Sequence, residues 1–91
     1  VTSDEIRAAV LAALARIAPE ADLGALRPDL PVRDQVDIDS MDFLNFLVEI
    51  HRTLGVDVPE ADYHDFSTLD RAVTYLANRA PARPPATAGE R

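Results

Sequence analysis

Ser40 is the side chain whose type and setting could most readily do chemistry. It lies in Asp37-Ile38-Asp39-Ser40-Met41-Asp42, where a stretch rich in prolines and carboxylates gives way to an apolar helical pattern. A serine in that place has two uses. Asp-Ser just before an apolar helix is a common N-cap. A serine at a helix start after a long loop also has an exposed hydroxyl. A phosphodiester attached there would meet free backbone N–H groups and the positive end of the helix dipole. The other reactive residue types do not assemble. A calcium loop beginning at Asp37 would need glycine sixth and glutamate twelfth, and Asp42 and Val48 stand there. His51 and His64 lack zinc-ligand spacing and read as solvated surface groups. No G-x-S-x-G elbow and no glycine-rich phosphate loop exists, and with no cysteine there is no thiol nucleophile. The chain reads as having no catalytic apparatus and no metal site.

The elements that would position Ser40 are helices. The pattern predicts a first helix from about Ser3 to Ala18. Thr2 with Glu5 forms a capping-box pair, Ile6, Val10, Leu14 and Ile17 share one stripe, and Pro19 ends it. Glu20 to Ile38 reads as a long loop, broken by Gly24, Pro28 and Pro31 and pinned by Leu23, Leu26 and Leu30. A second helix is expected from Asp39-Ser40 to Leu54, stopped by Gly55, with Leu44, Leu47, Val48 and Leu54 as its buried stripe. Met41, Phe43, Phe46 and Ile50 make it apolar on several sides, as in a central helix. Ala61 to Phe66 is expected as a short third helix. Ser67 with Asp70 is a capping-box-like start for a fourth, carrying Leu69, Ala72, Val73 and Leu76 and ending near Arg79. The fold class is all-α: a four-helix bundle over residues 1–79, with a disordered Pro/Ala-rich tail over 80–91.

The 91 residues suffice for one domain, whose core must rest on apolar packing because there are no cysteines to cross-link it. The net charge is −7 and every basic residue is arginine. Asp29, Asp34, Asp37, Asp39 and Asp42 face only Arg33 in their stretch, and Asp57 to Asp70 contains no arginine or lysine. Such a surface repels nucleic acid and anionic membrane and steers basic partners. Taken alone, an acidic run of this kind is also what keeps a protein in solution. No apolar run approaches the roughly 20 residues of a membrane span and the first residues lack a basic leader, so a cytoplasmic protein is expected.

Asp39-Ser40-Met41 resembles the Asp-Ser-Leu attachment motif of acyl carrier proteins, with methionine in place of leucine. The likeness extends through DSMDFLNFLVEIHRTLGVDVPEADYHDFSTLDRAVTYL: a second helix, an apolar-Pro step at Val58-Pro59, a short third helix and a Thr-apolar start to the fourth. The first helix and leucine-bearing loop fit too, so the resemblance covers all but the tail. It implies a four-helix carrier bundle, not an enzyme, with 4′-phosphopantetheine covalently attached to Ser40. A phosphopantetheinyl transferase would load that arm from coenzyme A, with Mg²⁺ as its metal. Acyl-loading ligases or synthases would then charge it with thioesters. By the same resemblance Asp39, Met41 and Asp42, with Val58 and Tyr63, would face partners or the arm, and Leu44, Leu47 and Val48 would line an acyl cavity. For several of these residues plain core packing is the competing reading.

Three departures stand out. Asp37 takes a position often held by glycine, Asn45 one that is frequently glutamate, and His51 and Arg52 fall where further acids are usual. They point to a specialised carrier, for a polyketide or other secondary-metabolite pathway, as an alternative to a fatty-acid-like one. Two further readings compete. A peptidyl or aminoacyl carrier would show a Gly-Gly-(His or Asp)-Ser lead-in where this chain has Val36-Asp37-Ile38-Asp39-Ser40. A helical adapter would use Ser40 only as a cap. A carrier that visits many partners is expected to be a monomer.

Overall fold

A computed structural model describes residues 2–79. The expected tail, 80–91, lies outside the described residues. Helix α1 runs Ser3–Ile17, opened by a complete capping box in which the Thr2 hydroxyl accepts from the Glu5 N–H and the Glu5 carboxylate accepts from the Thr2 N–H. Ala18 closes it with an N–H to the Leu14 carbonyl, and Pro19 follows. Helix α2 spans Ser40–Leu54 and stops at Gly55, whose φ of 73° is the left-handed conformation glycine adopts at least cost. The expected short third helix is a 3₁₀ helix, Glu60–Phe66, entered from Pro59. Helix α3 covers Leu69–Arg79. No strand forms among the described residues, whose one bridge joins Pro31 to Thr68. No helix there is long and apolar enough to cross a membrane.

Helix α1 packs against both α2 and α3, and the 3₁₀ helix packs against α3. Ile6, Val10, Ile50 and Leu76 are sealed at the centre. All five aromatic rings join in one chain, Tyr63–Phe43–Phe46–Phe66–Tyr75, with successive centroids 5.2, 6.1, 6.0 and 5.2 Å apart. It ties α2 through the 3₁₀ helix to α3. Across the other seam, Glu49 of α2 pairs with Arg52 at 2.7 Å and with Arg16 of α1 at 3.4 Å. Its carboxyl is held below the ordinary range chiefly by the Arg52 hydrogen bond, with the Arg16 and Arg52 charges adding to it against desolvation.

Three expectations are corrected. The buried stripe of α2 is Phe46 and Ile50 with half-buried Phe43, Leu47 and Leu54, whereas Leu44 and Val48 are 43% and 62% exposed. The aromatic rings and Ile50 claim the inner face because they fill the space between three helices. Leu30, expected to pin the long loop, is itself exposed. The loop is held by buried Val32, Val36 and Ile38, with Leu23 and Leu26 half-buried. Its backbone is gathered by Gln35, whose amide donates to the Arg27 and Leu30 carbonyls and accepts from the Arg27 N–H at 2.7 Å. The cap of α3 is Thr68, not Ser67: the Thr68 hydroxyl accepts from the Arg71 N–H at 3.0 Å. Ser67 is drawn off by the loop, its carbonyl accepting from the Val32 N–H at 2.8 Å.

Candidate functional site

The loop anchors and α2 together decide where Ser40 lies. Buried Val36 and Ile38 bring the chain to the bundle surface, and Asp39, in extended conformation, caps α2. The Asp39 carboxylate accepts from the Asp42 N–H at 2.9 Å, and the Asp42 carboxylate accepts from the Asp39 N–H at 3.2 Å. Ser40 is the first helical residue, so it is not the cap. Its hydroxyl is exposed and makes no hydrogen bond among the described residues. The N–H groups of Ser40 and Met41 likewise find no acceptor there, since Asp39 satisfies only those of Asp42 and Phe43.

Ser40 borders a groove of about 650 Å³ between α2, the 3₁₀ helix and the start of α3. Ile38, Phe43, Leu44 and Tyr63 form its apolar wall near Ser40, and Val10, Leu14 and Leu69 lie along its buried side. Arg33, Glu60 and His64 are its exposed charged or basic members. This volume falls within the range of small-ligand sites, and the lining is mainly apolar. The arrangement offers three things in sequence: a free hydroxyl, two unused N–H groups at a positive helix end, and an apolar trough. It suits a phosphate esterified to Ser40 and bearing a flexible, partly apolar arm.

The other expected site residues divide. Tyr63 lines the groove and meets the Phe43 ring edge-on. Val58 packs half-buried against the core and is not part of the groove. Of the three residues expected around an acyl cavity, Leu44 lines the groove, while Leu47 rests on the core and Val48 points outward. Met41 is 66% exposed beside Ser40. Asp42 is half-buried and turned toward Asp39, so its carboxylate is shared with the cap. Sequence reasoning gave no site role to Arg33, whose signal was its isolation among acids, and none to Ile38.

Comparison with known proteins gives concordant matches. A family model described as "Phosphopantetheine attachment site" matches residues 6–76. An acyl carrier protein of Lactobacillus johnsonii is 29% identical over 55 residues, covering 60% of this chain and 69% of that protein. Another, from Rubrobacter xylanophilus, is 23% identical over 61 residues, covering 67% of this chain and 75% of that protein.

Proposed function

The chain belongs to the phosphopantetheine attachment-site family, and from that membership we propose that it is an acyl carrier protein with its arm on Ser40. It is a carrier bearing covalent 4′-phosphopantetheine and not an enzyme. The observation that carries the choice of Ser40 is that it stands at the start of α2, borders the apolar groove, and is spared the capping there. Asp39 performs the capping, which leaves the Ser40 hydroxyl with no structural duty.

The attachment chemistry asks little of this chain. In a transferase, Ser40 Oγ would give up its proton and bond to the phosphorus of coenzyme A that bears the pantetheine, with adenosine 3′,5′-bisphosphate leaving. The N–H groups of Ser40 and Met41, at the positive end of α2, then favour the phosphodiester that remains. The arm supplies a terminal thiol on which an acyl group is held as a thioester. Ile38, Phe43, Leu44 and Tyr63 offer that arm or its cargo an apolar surface. Met41, Leu44 and Val48 form an exposed apolar stripe running down α2 from Ser40, with Asp39 at its head. That stripe, within an acidic surface, suits a partner presenting a hydrophobic patch rimmed by basic groups. Phosphopantetheinyl transferases and acyl-loading ligases or synthases are the partners proposed, in a dedicated pathway rather than general fatty-acid synthesis. The departures at Asp37, Asn45, His51 and Arg52 support that narrower choice.

The test is intact mass after incubation with coenzyme A, Mg²⁺ and a broad-specificity phosphopantetheinyl transferase. A single phosphopantetheine is expected on the wild type and none on Ser40→Ala. Addition to Ser40→Ala, or no addition to the wild type by several such transferases, would overturn the assignment.

A further inference from the structure

We propose that Arg33 is the cation that holds the phosphodiester on Ser40, and so sets how the arm leaves the protein. The inference rests on Ser40 being the attachment point. It begins from an imbalance in ion pairing. Among the described arginines, Arg7, Arg16, Arg27, Arg52, Arg71 and Arg79 each have a carboxylate within 4.0 Å, at Asp70, Glu49, Asp29, Glu49, Asp65 and Asp62 respectively. Arg33 has none there, although Asp34, Asp37 and Asp39 are its neighbours in the chain. Its guanidinium is turned instead toward the Ile38 carbonyl, 3.5 Å away, and it borders the groove that Ser40 opens on.

That placement matters because of what surrounds Ser40. Asp37, Asp39 and Asp42 lie within three residues of Ser40 in the chain, and Glu60 lines the groove that Ser40 borders. A helix N-terminus supplies only about half a positive charge. A phosphodiester adds a full negative charge to this cluster, so a nearby cation decides whether it is held or repelled. His64, the other basic group of the groove, already lies 3.7 Å from the Asp65 carboxylate. Arg33 has no carboxylate partner among the described residues and only the long contact to the Ile38 carbonyl. Ile38 is two residues before Ser40, a span of at most about 7 Å of backbone. A guanidinium already at the Ile38 carbonyl therefore reaches a phosphate on Ser40 by a change of rotamer, and its fork of donors matches two phosphate oxygens. The unused N–H groups of Ser40 and Met41 complete the contact from the other side.

The test compares unmodified and phosphopantetheinylated full-length protein for the wild type, Arg33→Gln, Arg33→Lys and Arg52→Gln, with loading checked by intact mass. Arg52 is a charge-matched control, about 18 Å down α2 from Ser40 at helical rise. Modification should raise the wild-type Tm relative to Arg33→Gln by about 2–4 °C more, the scale of one exposed charge pair in a domain this size. Arg33→Lys should restore part of the difference, Arg52→Gln should behave as wild type, and about 0.5 M salt should erase the effect. In the wild type, the Arg33 side-chain Nε–Hε resonance should move on modification while that of Arg52 stays. Equal Tm changes in all four proteins, or an unmoved Arg33 resonance, would overturn the inference and leave the Ser40 assignment standing. Failure of the wild type to gain the group would remove both.

Discussion

Asp39→Ala should destabilise the protein while Ser40→Ala should not. The cap of α2 rests on two exposed hydrogen bonds, Asp42 N–H to the Asp39 carboxylate at 2.9 Å and Asp39 N–H to the Asp42 carboxylate at 3.2 Å. Removing the Asp39 carboxylate loses the first and leaves the Asp42 N–H to water. No buried orphan is created, so the cost is that of an ordinary N-cap, about 1 kcal/mol. For a domain this size that is a fall in Tm of about 4–8 °C. Ser40, the first helical residue, has a hydroxyl without a partner, and replacing it with alanine should stay within about 0.5 kcal/mol. Asp39→Asn keeps an acceptor oxygen and serves as the control, because asparagine caps about as well as aspartate. If relief of repulsion from Asp37 and Asp42 governed the site, Asp39→Asn would raise Tm markedly. Thermal unfolding followed by helical circular dichroism on unmodified protein reads all three. A loss in Ser40→Ala equal to that in Asp39→Ala would refute the division of roles and restore Ser40 as the cap.

Four further substitutions test the packing that presents the site. Ile50→Ala should cost about 2–5 kcal/mol, since Ile50 is sealed in the core, and Val48→Ala should stay within about 0.5 kcal/mol; chemical denaturation of the two variants checks which face of α2 is inside. Tyr75 donates to the Asp62 carboxylate at 2.7 Å, and burial, then that bond, raises its pKa above the ordinary phenol value. A raised phenol pKa gives stability that is full below about 10 and lost as pH rises through the folded value, so Tyr75→Phe should flatten the alkaline limb of a stability–pH curve. Gly55→Ala should cost about 1–2 kcal/mol through its left-handed backbone alone, because an added Cβ would meet nothing within 4 Å; its Tm relative to wild type checks this.

Much of the frame was legible because it depends on local chemistry. Thr2 with Glu5, Pro19 and Gly55 act within a few residues of themselves, so α1 and the ends of α2 followed from the chain alone. What was not legible depends on distant partners. Whether Ser67 or Thr68 caps α3 is decided by the Val32 N–H, which takes the Ser67 carbonyl from thirty-five positions away. Gln35 organises its loop through carbonyls that no spacing rule singles out. Ser40 itself was recognised by the motif around it, but its freedom from capping follows only from the Asp39–Asp42 exchange.

The misreading of α2 has a different cause, and it bears on function. Phe43, Phe46 and Ile50 follow the i, i+3, i+7 spacing, and so do Met41, Leu44 and Val48, two residues earlier. At 3.6 residues per turn, an offset of two residues is roughly 200°, so the helix carries two apolar stripes on nearly opposite faces. Periodicity has no means of choosing between them. Size does, since the first stripe holds two phenylalanines that complete the aromatic chain from Tyr63 to Tyr75. A helix serving only its own core would place polar residues on the second stripe. Here Met41 and Val48 are 66% and 62% exposed, on the helix that begins at Ser40. The fold leaves that apolar surface without a packing role, beside a serine hydroxyl that borders the groove and has no capping role, and both are what the proposed carrier would offer its partners.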